Sequence, residues 1–320
     1  MSVDVLSETV AAMRTGRPRS VLTEARAPWG LRFQPRAGAS FHVVLEGTCW
    51  FMPAQGRPLP LGPGDVVFLR SGSGHGLADR PTTPLVEFRP EQVNHSSPIG
   101  RLSVPGTGER AALLCGAYQL ERARPHPLLI SLPETVHLPC RPGQPTALRS
   151  AVELLRSELR DYRPGGDAIV SSLVDGMLVY VLREWLHEQP RDTAEGWAVA
   201  IADPATAGAL RNIHRDPGRP WTVDALAEDV GLSRAAFSRR FTAQVGEPPL
   251  TYLTRWRMTT AGRLLHESGL PLGRVAQQVG YTSSFAFAKA FKREYGIAPG
   301  GYRKLAREDT GADEHSRPIR

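Results

Sequence analysis

The chain has 320 residues, enough for two domains, of which 41% are apolar and 22% charged. This ordinary globular composition excludes a wholly disordered or fibrous protein, and no run of about 18 apolar residues marks a membrane span. The odd total of three cysteines argues against a disulfide scaffold and favours a reducing cytoplasm. No apolar segment follows the first arginines, so a secretory signal is not expected.

The positive charge is concentrated in the last third of the chain. Residues 1–203 contain 21 basic and 21 acidic residues, whereas residues 204–320 contain 18 basic and 11 acidic residues, which accounts for the whole net charge of +7. A neutral region joined to a basic one predicts that the C-terminal part binds a polyanion. The alternative is a basic surface that only keeps the protein soluble.

The first part of the chain changes from a helical to a strand-like pattern. Leu6, Val10 and Met13 have helical spacing, which predicts a leading helix within residues 1–25 that ends near Gly16. After this helix, short apolar runs alternate with Gly and Pro, a pattern typical of the strands of a β-sandwich or barrel. The predicted strands are Ser40–Met52, Arg57–Leu69, Leu85–Arg89, Ala111–Leu120 and Leu128–Leu138.

Two predicted helices follow the strands. The first is apolar on one face, and the second, which Asp167 could cap, is apolar on most sides up to about Glu188. So broad an apolar surface must be covered, either by the barrel or by a second copy of the chain, and both can apply. Residues 189–203 are expected to be a connector, and residues after about 306 a disordered tail.

The basic region contains a repeat of about fifty residues. Four positions match at an offset of 49 and six at an offset of 50, because the turn of the second copy is one residue longer. The matched pairs are Leu226 with Val275, Ala227 with Ala276, Val230 with Val279, Gly231 with Gly280, Ser233 with Ser283, Phe237 with Phe287, Phe241 with Phe291, Gly246 with Gly296, Pro249 with Pro299 and Tyr252 with Tyr302. Ten matches in the same order indicate a duplicated unit.

Each copy has the pattern of a helix-turn-helix unit. In the first copy, Gly231 permits the left-handed turn that ends an amphipathic helix, and Ser233 can cap the second helix. Phe237 and Phe241, four residues apart, are expected to point into the core. The opposite face then carries the small, hydroxyl and basic residues that a helix needs to read a DNA groove. A long helix over about 250–265 would hold both units rigidly, so that they could enter major grooves about 34 Å apart.

These motifs resemble the AraC/XylS family of bacterial transcription regulators over about residues 204–303. The segment 280–303, Gly-Tyr-Thr-Ser-Ser-Phe-Ala-Phe-Ala-Lys-Ala-Phe-Lys-Arg-Glu-Tyr-Gly-Ile-Ala-Pro-Gly-Gly-Tyr-Arg, resembles that family's C-terminal signature. The resemblance implies binding to double-stranded DNA, with bases read by Ala235, Ser238, Arg239, Phe285, Ala286 and Lys289. It implies phosphate contacts for Thr222, Ser233, Arg240, Ser283 and Lys292. Phe285 stands where polar residues are often found, so it either contacts a thymine methyl group or packs inward.

The N-terminal part, over about residues 4–190, is similar to the cupin-type sensor domain of a subgroup that includes reactive-chlorine-sensing activators. The similar segments are Phe41–Gly47, Gly62–Asp65 with His75 ten residues on, Leu114–Gly116 and Leu132–Glu134. A barrel of this kind is expected to bind a small-molecule or oxidant effector inside it. The candidate effector-binding residues are His42, Trp50, His75 and Cys115.

A metal site is not predicted in this barrel. Metal cupins resemble one another in a His-x-His pair, a nearby Glu and a later His, but Val44 stands in the place of the second His and Glu46 is displaced. His42 and His75 would need Cys115 or His126 to complete a transition-metal site. We therefore predict no metal and no cofactor. The barrel is then expected to bind a sugar or simply to be packed, with His42 satisfied by a backbone carbonyl.

The sequence lacks one of the two cysteines that a redox switch like that of the resembled subgroup would use. In the redox-sensing relatives, a cysteine at the matching Cys-Gly site pairs with one near the N-terminus, but residues 1–30 contain no cysteine here. Cys49 or Cys140 would have to substitute as the partner of Cys115. Otherwise Cys115 is a buried residue that behaves as a small apolar side chain.

Together these patterns predict an α+β protein of two domains, a cupin-like β-barrel with flanking helices and an all-α double helix-turn-helix. The predicted boundaries are 1–145 for the sensing barrel, 146–203 for a helical dimerisation and connector segment, 204–305 for the DNA-binding domain and 306–320 for the tail. The predicted function is that of a cytoplasmic transcription activator, a homodimer that works with RNA polymerase and is not an enzyme. The alternatives are a metal-dependent cupin enzyme with a DNA-binding appendage and a nucleoid protein without sequence specificity.

Overall fold

A computed structural model describes residues 4–14, 16, 18–36, 38–95, 99–120, 125–141, 143–161, 163–189 and 196–305. The chain forms two compact units. The unit called here the helical unit contains the described residues of Met1–Thr15, Glu121–Ser131 and Pro190–Arg320, and the barrel unit contains those of Gly16–Leu120 and Leu132–Gln189. Among the described residues, no helix is both long and apolar enough to cross a membrane.

The secondary structure alternates between the two units along the chain. The strands are β1 (Arg19–Arg26), β2 (Gly30–Phe33), β3 (Ala39–Glu46), β4 (Cys49–Pro53), β5 (Leu59–Leu61), β6 (Val66–Leu69), β7 (His75–Ala78), β8 (Val86–Glu87), β9 (Gly100–Val104), β10 (Arg110–Tyr118) and β11 (Thr135–Leu138). The helices are α1 (Val5–Met13), α2 (Pro127–Ser131), α3 (Ala147–Arg160), α4 (Gly166–Glu188), α5 (Trp197–Ala202), α6 (Pro204–Arg215), α7 (Val223–Asp229), α8 (Arg234–Val245), α9 (Pro249–Glu267), α10 (Leu272–Gln278) and α11 (Ser284–Tyr295).

The barrel unit consists of two sheets with an apolar core. One sheet has the strand order β11-β6-β3-β10-β1-β9 and the other β5-β4-β7-β2-β8. The pairs are antiparallel except for β9 on β1 and β8 on β2. Apolar side chains from both sheets meet in one buried cluster, which includes Val44, Val67, Leu113, Leu31, Phe51 and Leu77. Strand alternation therefore sends every second residue of β3, β4 and β7 into this core.

The Gly62–Asp65 segment forms a tight turn between β5 and β6 of the barrel unit. The Asp65 carboxylate accepts hydrogen bonds from the Gly62 N–H at 2.9 Å and the Cys140 N–H at 2.7 Å. Gly64 has a φ of +90°, and a Cβ there would lie 2.7 Å from the Cys140 sulfur. Glycine is needed because both the backbone angle and the space exclude a side chain.

Helices α3 and α4 pack against each other, with α3 also against β3 and α4 against β11. The Tyr118 hydroxyl donates to the Val174 carbonyl at 2.9 Å, which fixes α4 on the barrel. Leu154 on α3 and Ile169 on α4 remain 54% and 46% exposed. The predicted cap Asp167 lies in the first turn of α4 instead, and Gly165, with φ of +87°, is the N-cap.

The helical unit contains two helix-turn-helix pairs joined by one long helix. We call α7 with α8 the first HTH unit and α10 with α11 the second HTH unit. The turn glycines Gly231 and Gly280 have φ of +70° and +80°, as the left-handed turn requires. Helix α9 packs against α6 and α8 on the first side and against α10 and α11 on the second.

Two segments differ from the predicted secondary structure. The helix expected within residues 1–25 is only α1, because Arg19–Arg26 form β1 and pair with β9 and β10. The strand expected over Leu128–Leu138 is α2 followed by β11. Pro127 favours a helix start and Pro133 cannot continue the helix, so this apolar run is divided.

The compact units also differ from the predicted boundaries. Helix α1 and residues 125–131 lie in the helical unit, although the sequence prediction placed them with the barrel. Helix α1 packs against α6 and α9, and His126 contacts the rings of Trp197 and Tyr252 with centroid distances of 4.9 and 5.9 Å. Long-range burial decides these positions, and local sequence patterns do not report it. The tail predicted for 306–320 lies outside the described residues.

Candidate nucleic-acid interface

Helix α8 presents the predicted reading residues of the first HTH unit on its outer face. The Ser233 hydroxyl caps the helix by accepting from the Ala236 N–H at 3.3 Å. Phe237 and Phe241 are buried in the core, so the residues between them point away from it. The predicted residues Ala235 and Arg239 are exposed, and Ser238 is half-buried.

Helix α11 is built in the same way in the second HTH unit. The Ser283 hydroxyl accepts from the Ala286 N–H at 3.4 Å, and Phe287 and Phe291 fill the core. The outward residues Ala286, Lys289 and Lys292 are exposed. Phe285 is 80% exposed, so of its two predicted orientations the structure shows the outward one.

The cap residues place hydroxyl groups beside these helices. The Thr222 hydroxyl oxygen accepts from the Ala225 N–H at 3.1 Å, in the same way as Ser233 and Ser283 do for their helices. An oxygen that accepts from a cap N–H still has its own O–H to donate. These three hydroxyls can therefore donate to phosphate oxygens without loss of the cap.

Two basic residues of α8 pair with acidic residues. Arg240 lies 3.2 Å from the Asp203 carboxylate, and Arg234 lies 3.1 Å from the Asp224 carboxylate. Arg234 was not predicted as a site residue, although its position directly after the cap Ser233 places it at the reading end of α8. Arg239 is the third exposed arginine of this helix, and no acidic group among the described residues forms an ion pair with it.

In the barrel unit, His42 and His75 face each other in the core. Their Nε2 atoms lie 2.7 Å apart, and the Nδ1 atom of His75 lies 2.8 Å from the Ser73 carbonyl oxygen. Because a carbonyl only accepts, His75 carries its proton on Nδ1 and accepts on Nε2 from His42. The predicted carbonyl partner of His42 is therefore wrong. His42 donates to His75, and it is His75 that donates to a backbone carbonyl.

This arrangement leaves one buried nitrogen without a partner. His42 is 2% exposed, and its Nδ1 has no hydrogen-bond partner. Burial, with His75 as the second cause, holds the pKa of His42 well below its usual range, and burial also lowers the pKa of His75. Both rings are therefore neutral at pH 7, and the Nδ1 lone pair of His42 can accept a hydrogen bond.

The other two predicted effector residues lie differently. Cys115 on β10 pairs in register with His42 on β3, and burial raises the pKa of its thiol to about 12. Burial likewise raises the pKa of Cys49 to about 12, so both thiols are protonated at pH 7. Trp50 is half-buried between the buried Cys49 and Phe51, so it lies on the opposite face of β4 from the core.

The barrel residues do not fit a transition-metal site. Among the described residues, no three His, Cys, Asp or Glu side chains come close enough together to hold an ion. Glu46 lies 3.6 Å from Arg110 instead. His126, the other predicted completing ligand, belongs to the helical unit. Two imidazoles alone are fewer ligands than structural or catalytic zinc sites use.

Both parts of the chain match known families. A family model described as Cupin matches residues 4–187, and one described as Helix-turn-helix domain matches residues 226–305. An AraC-like transcription regulator of Streptomyces lividans is 34% identical over 303 residues, covering 94% of this chain and 98% of that protein. The RCS-specific HTH-type transcriptional activator RclR of Escherichia coli is 29% identical over 270 residues, covering 84% of this chain and 85% of that protein.

A solved structure is similar to about a third of this chain. The DNA-binding domain of the global transcriptional factor AdpA, in complex with a target DNA, is 31% identical. The match covers 33% of this chain and 96% of that one, with a TM-score of 0.32.

Proposed function

Because the chain belongs to the AraC-type family of DNA-binding transcription regulators that carry a cupin domain, we propose that α8 and α11 read base edges in two successive major grooves of one duplex. The matches to known families confirm the predicted family and the predicted two-domain α+β fold. The observation that carries the reading model is the pair of exposed outer faces, one with Arg239 and one with Lys289, on two HTH units of the same build.

Base recognition in this proposal comes from the outermost side chains. The Arg239 guanidinium can donate to O6 and N7 of one guanine, and Lys289 can donate to the same acceptors in the second groove. The methyl groups of Ala235 and Ala286 are small enough to approach a thymine methyl group. Phe285, fully outward, can contact a thymine methyl as well.

Phosphate recognition comes from the caps and from the cations at the rim. Thr222, Ser233 and Ser283 donate hydroxyl hydrogens to phosphate oxygens, and Lys292 adds a positive charge in the last turn of α11. Arg240 can join them only by leaving Asp203, since one guanidinium group held at 3.2 Å by a carboxylate is already neutralised. The proposal therefore ranks Arg240 below Lys292 as a phosphate contact.

The reading model is tested by a gel-shift titration on duplexes that the full chain selects from a random library. R239A should weaken binding by about 1–3 kcal/mol at one base step and relax specificity there. K292A should weaken all duplexes similarly and reduce the salt slope by about 1. The model is wrong if both variants bind the selected duplex as the unsubstituted chain does.

The barrel unit is proposed to sense a small molecule or oxidant. The support is the buried, unpartnered Nδ1 of His42, which can accept a hydrogen bond from an O–H or N–H group of an effector. Effector binding would shift the population toward a state with different affinity for DNA. H42F should abolish effector-dependent DNA binding while it leaves effector-free binding unchanged, and unchanged effector dependence in H42F would contradict this assignment.

A homodimer is proposed through the outer surface of α3 and α4. Leu154 and Ile169 are large apolar residues that remain half-exposed on these two helices, and a second copy would cover them. L154E should then lower the molar mass measured by light scattering, and an unchanged mass would exclude this face. As in the relative named a transcriptional activator, the regulator is proposed to activate transcription with RNA polymerase, in the cytoplasm where promoter DNA is found.

No catalysis is proposed for the barrel. The relatives named above are transcription regulators, and no three His, Cys, Asp or Glu side chains among the described barrel residues lie close enough together to hold a metal ion. Stoichiometric iron, manganese or zinc in the purified protein, together with turnover of a substrate, would instead favour the enzyme alternative.

A further inference from the structure

Helix α9 joins the two HTH units, and one arginine of this helix lies against both of them. Arg257 donates through Nε to the Pro217 carbonyl at 2.7 Å and through Nη2 to the Arg219 carbonyl at 2.9 Å. Both carbonyls belong to residues 216–220, the segment that leads into α7, which we call the junction loop. Arg257 therefore ties the entry of the first HTH unit to α9.

The same guanidinium group also lies against the turn of the second HTH unit. A Cβ atom on Gly280 would lie 2.8 Å from Nη2 of Arg257 and 2.8 Å from the carbonyl oxygen of Gly218. A Cβ atom on Gly218 would in turn lie 3.0 Å from the carbonyl oxygen of Gln278. The junction loop, Arg257 and the second turn thus come together at one point, with no room for added atoms.

The junction loop is held in one conformation by its own contacts, so hydrogen bonds to its carbonyls fix the position of Arg257 relative to it. The indole N–H of Trp221 donates to the Asp216 carbonyl at 2.9 Å, and the Arg219 N–H donates to the Asp216 carboxylate at 3.1 Å. The Arg219 guanidinium lies 4.0 Å from the centre of the Trp221 ring. Trp221 is itself buried, so the loop is anchored at the residue that follows it.

We propose that Arg257 is a positioning residue that fixes the two HTH units at one separation and angle, and so sets the half-site spacing that the protein reads. The inference rests on the proposed function, since spacing matters only if both units bind DNA. A planar guanidinium presents its donors in a rigid fork and holds two carbonyls at a fixed angle, whereas the ammonium group of a lysine sits on a flexible stem and sets no such angle. Each half-site would be bound equally well without Arg257, but the two would no longer be held in register.

The physical consequence concerns the second binding event. Once one unit is bound, the other faces its half-site at an effective concentration that depends on how rigidly the two are joined. A loosened junction lowers this concentration at the correct spacing and raises it at wrong spacings. Loss of Arg257 should therefore reduce affinity for the complete site and reduce discrimination between spacings.

The experiment uses the full chain and duplexes that the unsubstituted chain selects from a random library. Three sets are compared by fluorescence anisotropy: the selected two-part site of one protomer, the same site with one or two base pairs inserted between its halves, and the site with one half scrambled. We expect R257A to bind the complete site about tenfold more weakly, to bind the one-half duplex unchanged, and to lose most of its preference for the selected spacing.

Two further variants complete the design. R263A removes the same charge from the same helix, at a residue that pairs with Glu267 away from the junction loop, and it should keep the full spacing preference. R257K retains the charge and is the conservative variant if R257A proves unstable; its spacing preference should lie between those of R257A and the unsubstituted chain. Unchanged binding of the one-half duplex shows that a variant is folded.

The outcomes separate this inference from the function on which it rests. The positioning role is overturned if R257K, or R257A when its urea denaturation matches that of the unsubstituted chain, keeps the full spacing preference. It is also overturned if such a variant weakens the one-half duplex as much as the complete site. If the unsubstituted chain selects no two-part site, the reading model fails first and the inference falls with it.

Discussion

The two HTH units use the same residue types for their frames. Serine caps the outer helix in each, and two phenylalanines four residues apart fill each core at 1% exposure or less. Each outer helix also ends on a left-handed glycine, Gly246 in α8 and Gly296 in α11. The frame positions therefore preserve one geometry through the duplication.

The outer faces of the same two helices have diverged. Helix α8 presents alanine, serine and arginine, with two of its arginines paired to acidic residues. Helix α11 presents an exposed phenylalanine and two lysines, and no described residue forms an ion pair with these lysines. The comparison teaches that frame and reading surface vary independently, so each can be changed without the other.

The largest expected effect is the difference in stability between two alanine substitutions, one at a buried phenylalanine of the frame and one at an exposed phenylalanine of the reading surface. F287A empties a fully buried position and should cost about 3–5 kcal/mol of unfolding free energy, because a cavity remains in a packed core. F285A, two residues earlier and 80% exposed, should change stability by less than about 0.5 kcal/mol. Urea denaturation of both variants measures the difference.

The same pair of variants separates binding from stability. F285A should weaken binding only to duplexes with a thymine at the contacted position, whereas F287A should weaken binding to every duplex through loss of the folded unit. Equal destabilisation by both variants would show that Phe285 belongs to the frame, and the separation of frame from surface would fail.

The next largest effect is a difference between the two HTH units in how their stability depends on pH. The His214 ring stacks on Trp256 with a centroid distance of 3.6 Å, and its Nε2 atom lies 2.7 Å from the Tyr252 hydroxyl. Burial lowers the pKa of His214 to about 3. The unfolded chain takes up a proton below its ordinary pKa of about 6.5, and the folded state does not, so stability falls as pH falls below that value. Between pH 7 and pH 5 the loss should be about 2 kcal/mol on the first side of α9.

Hydrogen exchange of backbone amides, corrected for intrinsic rates, measures this effect locally. Protection of α6 and α8 should fall between pH 7 and pH 5, while protection of α11 should stay, because the buried histidines among the described residues of this unit, His126 and His214, both lie beside Tyr252. H214Q should remove part of the pH dependence. If α11 lost protection in step with α6, the two HTH units would unfold as one and would not differ in this respect.

The duplicated units were predictable because their signals are local. A serine cap, a glycine turn and two phenylalanines lie within the 11 residues 231–241 of the first unit and the 12 residues 280–291 of the second. Helical spacing converts them directly into a cap, a turn and a core. The outward positions follow from the same spacing, which is why exposed residues such as Arg239 and Lys289 could be chosen from the sequence.

The parts that could not be predicted depend on distant partners. The contact of His42 with His75 joins strands of different sheets, and only the packing of the sheets brings the rings together. The junction made by Arg257 requires a loop 40 residues earlier in the chain. An arginine within a partly apolar helix was the one local signal for this junction, and it has no spacing rule.

The smallest expected effect concerns the ion pair between α8 and the start of α6. Asp203 caps α6 by accepting from the Thr206 N–H at 2.9 Å, and its other oxygen faces Arg240 at 3.2 Å. D203N keeps an oxygen for the cap but removes the charge that holds Arg240. Arg240 then becomes available to phosphate, so binding to all duplexes should tighten about twofold to fivefold at low salt, with a salt slope steeper by up to about 0.9.

The matched variant D224N frees Arg234 from an exposed pair in the same unit. Both members of that pair are more than 60% exposed, so water already screens the carboxylate and the gain in affinity should be smaller. R240A combined with D203N should return the salt slope to that of R240A alone. If D203N leaves the slope unchanged, Arg240 does not reach phosphate even when released, and the pair with Asp203 only fixes α8 on α6. The first HTH unit would then contact DNA with fewer cations than the second. The two reading surfaces would differ in this respect even when the ion pair is broken.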